Sequence, residues 1–154
     1  MKTWISILFL FVHLVAQAQT TADWRTFKNA RFDLHTTAAD SALTPHLIST
    51  LEQGVAQIEG FFNQPFPKRF DVWVFPDRGA LDRQWQHDWN DSTFQSQCWM
   101  VASGVANRLD LLSLNAWAEQ ACEHRAADSL AVFKLLTHEL THVYHGQHCP
   151  IPDF

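Results

Sequence analysis

The residues with the clearest chemical potential are His138-Glu139-Leu140-Thr141-His142. Two histidines four positions apart on a helix differ by about 40° in azimuth and about 6 Å in rise. Their imidazoles can therefore reach one ion, each nitrogen about 2.0 to 2.1 Å from a zinc. Glu139 stands one residue on, about 100° around the helix, where its carboxylate flanks an ion rather than binding it. This H-E-x-x-H spacing makes His138 and His142 candidate zinc ligands and Glu139 a candidate general base for metal-assisted hydrolysis, the bland alternative being an exposed polar face with two incidental histidines.

An element that positions these groups must be apolar on one side and open on the other. Val132, Phe133, Leu136, Leu140 and Val143 share one helical face, and His138 and His142 fall on roughly the opposite one. Asp128 or Ser129 supplies an N-cap, and Gly146 is the expected stop just after His145. Tyr144 falls towards the apolar side and is read as core. His145 sits near the metal face, beside a helix end where a cation is favoured.

The elements before this helix alternate in type. A strand is expected over residues 30–36. An amphipathic helix is expected over 43–62, with Leu47, Leu51, Val55, Ile58 and Phe62 recurring at helical spacing. Pro65 and Pro67 end it, and Phe70 to Phe75 alternates as a strand. Asp77 can cap a helix running to about Trp89. Two strands, 98–106 and 108–114, are expected around a turn at Asn107, then a short helix over 116–124. Without a regular βαβ rhythm, the fold class is α+β, a mixed or antiparallel sheet packed on helices with the H-E-x-x-H helix last.

The segment Leu136-Thr137-His138-Glu139-Leu140-Thr141-His142-Val143-Tyr144 resembles the metal helix of gluzincin peptidases, and the order of elements before it resembles the front half of their catalytic domain. Within that group it is most similar to the peptidase MA-like domains of exported bacterial proteins. The resemblance implies a zincin-like fold, zinc as cofactor, a peptide or protein substrate and an extended peptide held along strand 108–114. It also implies a glutamate on a later helix as third ligand. None of the twelve residues after His142 is a glutamate, so the domain, residues 19–154, is expected to be C-terminally incomplete. His148 is the local alternative, ten residues after His138 as in the metzincin pattern. That pattern needs its turning glycine at position 145, where this chain has histidine. The rival reading is a truncated or degenerate non-catalytic member, acting as an exported zinc-binding or protein-binding module.

Residues 1–18 read as a secretory signal: Lys2, a nearly unbroken apolar run from Trp4 to Val15, and Ala16-Gln17-Ala18 as the cleavage site. A secreted or periplasmic protein is expected. Twelve apolar residues fall short of the roughly 20 that cross a bilayer, so no stable membrane insertion is expected after cleavage. The formal charge is −5, with no Lys/Arg cluster, which argues against a nucleic-acid partner. Cys98, Cys122 and Cys149 suit an oxidising compartment with one disulfide and one thiol left over, the pairing open. Trp73, Trp85, Trp89, Trp99 and Trp117 are read first as core, with sugar or aromatic stacking the minority reading. Glu119 and Glu123 are read as a solvated face.

Overall fold

A computed structural model of the chain describes residues 23–149. The expected leader, residues 1–18, lies outside them. The elements are β1 (Trp24–Lys28), β2 (Phe32–Thr37), α1 (Thr44–Phe62), β3 (Phe70–Phe75), α2 (Arg78–Asp88), β4 (Ala102–Val105), β5 (Arg108–Leu112), α3 (Trp117–Gln120) and α4 (Ser129–His148).

The fold is α+β, with a mixed five-stranded sheet in the order β1-β2-β3-β5-β4. The β2–β3 and β3–β5 pairs are parallel, whereas β1–β2 and β4–β5 are antiparallel. Parallel neighbours need long crossovers, and these carry the helices. Phe32, Leu34, Val72, Val74, Leu109 and Leu111 share one face of the sheet and are at most 1% exposed. Leu47, Leu51, Val55 and Ile58 of α1 are buried with them, as are Val132, Leu136, Leu140 and Val143 of α4. Leu140 is fully buried, so truncating it to alanine costs about 2 to 5 kcal/mol. Leu81 and Trp85 of α2 are buried on the other side of the sheet, where the Trp85 indole donates to Asp110.

Both expected caps form: Asp77 accepts from the Ala80 N–H at 2.7 Å, and Asp128 from the Ala131 N–H at 3.0 Å. Several expectations need correction. Strand β1 was not anticipated; it is an edge strand with three of its five residues exposed, so its alternation is faint. The strand expected from residue 98 begins only at Ala102, because Cys98 is tied by a disulfide to Cys122 and the chain turns there. The short helix over 116–124 contracts to α3, and Glu123 takes a left-handed φ of 64°. Strand β5 lies inside the sheet, whose edges are β1 and β4. Phe62, Trp89 and Trp99 are exposed rather than core, and Phe133 is only half-buried.

A single guanidinium secures the turns around the disulfide. Arg78 donates to Ser96 Oγ and to the carbonyls of Gln97, Cys98, Met100 and Gln120, at 2.7 to 3.1 Å where it meets the first four. The loop before β4 and the loop before α4 are thus joined twice, covalently and through this side chain.

Candidate metal centre

Helix α4 presents His138 and His142 on its exposed side and buries Leu136, Leu140, Val143 and Tyr144. The segregation of faces follows from the apolar spacing. The Nε2 atoms of the two histidines are 3.1 Å apart, and the rings are nearly perpendicular at 81°. Two nitrogens bound to one tetrahedral zinc at about 2.05 Å stand about 3.3 Å apart. The pair therefore fits a shared ion, with Nε2 as the contact atom on each ring and the ring proton on Nδ1.

Glu139 is held differently. It is 8% exposed, and its Oε2 accepts the main-chain N–H of Gly104 at 2.7 Å. Gly104 lies on β4 opposite Leu109, and its outer edge meets α4 directly. A Cβ on Gly104 would come within 2.1 Å of the Glu139 carbonyl oxygen. The absence of a side chain is what lets the edge strand lie against the helix backbone and deliver that N–H. With Oε2 engaged, Oε1 is the oxygen left to exchange a proton.

No family model, curated protein or solved structure matches the chain. The site is therefore read from its geometry alone.

Among the described residues no group of three His, Cys, Asp or Glu side chains converges as a metal site. His148 does not turn back towards the pair. Helix α4 continues through Gly146 to His148, whose ring packs on Tyr144 with centroids 4.2 Å apart. Ten residues of helix place it about 15 Å further along the axis than His138. Gly146 is not a stop because it serves packing: a Cβ there would lie 2.9 Å from Ala106 at the β4–β5 turn. His145 is exposed and meets the edge of Phe62, and Tyr144 is core as expected. Glu119 and Glu123 are both exposed.

Gly104 is the site residue that sequence reasoning passed over. A lone glycine inside a strand pattern was the available signal, since it marks a bulge or a close backbone approach.

Proposed function

We propose that this chain is a zinc-dependent peptidase of the gluzincin type, with His138 and His142 as metal ligands and Glu139 as general base. The 3.1 Å approach of the two Nε2 atoms on the exposed face of α4 carries the reading. Bound zinc supplies Lewis acidity at the scissile carbonyl. The residues supply the rest. Gly104 N–H fixes one carboxylate oxygen of Glu139, whose other oxygen takes a proton from the attacking water and returns it to the leaving amine. The outer edge of β4, apart from the Gly104 N–H already given to Glu139, would offer main-chain groups to an extended peptide. Export fits the Cys98–Cys122 disulfide, since such bonds persist in oxidising compartments. The leader that would direct it lies outside the described residues.

A non-catalytic zinc-binding module is the second reading, favoured by the absence of a third converging ligand among the described residues. Catalytic zinc sites ordinarily have three protein ligands. One experiment separates the two: zinc content of the purified chain, with hydrolysis of fluorescein-labelled casein. The peptidase reading expects about one equivalent of zinc, and loss of about 100-fold or more of the hydrolysis in Glu139→Gln with the zinc retained. Zinc without hydrolysis in the unaltered protein identifies the module. A chain that holds no zinc, or hydrolysis that survives Glu139→Gln, refutes the peptidase.

A further inference from the structure

A cavity lies on the face of the sheet away from α4. Side chains alternate along β4, so Gly104 meets α4 while its neighbours Ser103 and Val105 face the α2 side. Together with Trp85, Asp88 and Trp89 from α2 and its C-cap, and Arg108 and Asp110 from β5, they line a half-open hollow of about 360 Å³. That volume falls within the range of small-molecule sites, about 300 to 1,000 Å³.

The lining joins two carboxylates, Asp88 and Asp110, through one guanidinium, Arg108. Arg108 Nε donates to Asp110 Oδ1 at 2.6 Å, and Arg108 Nη1 lies 3.8 Å from Asp88 Oδ2. The other Asp110 oxygen accepts the Trp85 indole N–H at 3.0 Å, and Asp110 is 5% exposed. Gln84 and His87 engage Asp88 Oδ1. An anion would meet the surplus carboxylate charge, and a cation would have to draw Asp88 or the buried Asp110 away from Arg108, which is costly. A neutral ligand does neither.

The groups left for such a ligand mix donors, acceptors and ring faces. Ser103, Asp88 and Arg108 line the hollow with a hydroxyl, a carboxylate and a guanidinium that also lies over the Trp73 and Phe75 rings. Trp89 is 47% exposed, stacked on Trp85 with centroids 5.4 Å apart and braced at its edge by Phe94. A fixed, half-open indole beside a carboxylate and a guanidinium suits a molecule with apolar C–H faces and rims of neighbouring hydroxyls. We propose that this cavity binds a neutral saccharide, with Trp89 against the sugar ring and Arg108, Asp88 and Ser103 on its hydroxyls.

The site is separate from the histidine pair and stands whether or not the chain hydrolyses peptides. The test is calorimetric and tryptophan-fluorescence titration of the full chain with cellobiose, maltose and N,N′-diacetylchitobiose, repeated in Glu139→Gln. At least one disaccharide is expected to saturate, equally in both proteins. Trp89→Ala and Val105→Trp should each weaken it by roughly tenfold or more. Val105 is 57% exposed, so the second variant fills the mouth without disturbing the core. Trp99→Ala, an exposed indole outside the cavity, should bind as the parent does. The proposal is overturned if none of the three sugars saturates, if both cavity variants bind unchanged, or if choline saturates the cavity in their place.

Discussion

The main-chain N–H of Gly104 donates to Oε2 of Glu139 at 2.7 Å, so the edge of the sheet, and not a side chain, orients the proposed base. Gly104→Ala places a methyl group 2.1 Å from the Glu139 carbonyl oxygen. The hairpin must then move off α4, at a cost of about 1 to 3 kcal/mol. A lower urea midpoint is expected, with hydrolysis falling well before zinc content does. Unchanged stability and activity would show that the hairpin does not press on the helix.

The Cys98–Cys122 bond closes a separation of 24 residues. Chain-entropy reasoning puts its contribution at about 3 kcal/mol. Replacing both cysteines by serine should lower the unfolding free energy by that amount. Dithiothreitol should destabilise the parent similarly and leave the double variant unaffected.

Removing Arg78 takes a donor from the carbonyls of Gln97, Cys98, Met100 and Gln120 at once, although those of Gln97 and Cys98 keep the main-chain N–H groups of Met100 and Cys122. A fully buried acceptor left without a donor costs about 1 to 3 kcal/mol, and the loss here is smaller because Gln97 and Cys98 are exposed and water can reach them. Arg78→Lys should recover only part of the loss, because an ammonium cannot span acceptors spread around a planar fork. Hydrogen exchange should quicken in residues 96–100 and 120–122. Protection equal to that of the parent would assign the loops' order to the disulfide alone.

Burial is the largest influence on Asp110 and raises its pKa; the charge and hydrogen bond of Arg108 and the Trp85 indole offset this only in part. A carboxyl whose folded pKa is raised binds its proton more tightly in the native state. Its contribution to stability is full below the ordinary value of 3.8 and is lost as pH rises through the folded value. Asp88 runs the other way. Burial raises it, but hydrogen bonds from Gln84 and His87 and the charge of Arg108 together prevail and leave it lowered. Its contribution is present above 3.8 and fades as pH falls through the folded value. Asp110→Asn should therefore remove a component of the pH–stability curve that declines with rising pH above 3.8. An unaltered difference between parent and variant across that window would contradict the assignment.

The sequence displayed α4 because its apolar residues, its cap and its two histidines all obey one helical period. It displayed α1, α2 and β3 for the same reason, each having a cap, a proline or a strict alternation at its boundary. Strand β1 was hidden: with only Trp24 and Phe27 turned partly inward, it has no continuous buried face to betray it. Gly146 misled because a glycine near a helix end has two uses, stopping the helix or admitting a neighbour, and Ala106 is distant in sequence. The histidine pair was legible from local spacing. The Gly104–Glu139 contact spans 35 residues and exists only once the hairpin folds onto the helix. The cavity beside Trp89 needed three elements in register, which no single stretch of residues reveals.

Because α4 carries on past Gly146, the two histidines sit well inside a long rod. His138 is about 13 Å from the start of that rod and His142 about 9 Å from its finish. Fraying is confined to terminal turns, so unravelling or clipping at either tip should leave the spacing of the imidazoles untouched. The relative placement of the two rings is insulated from fraying at the helix tips.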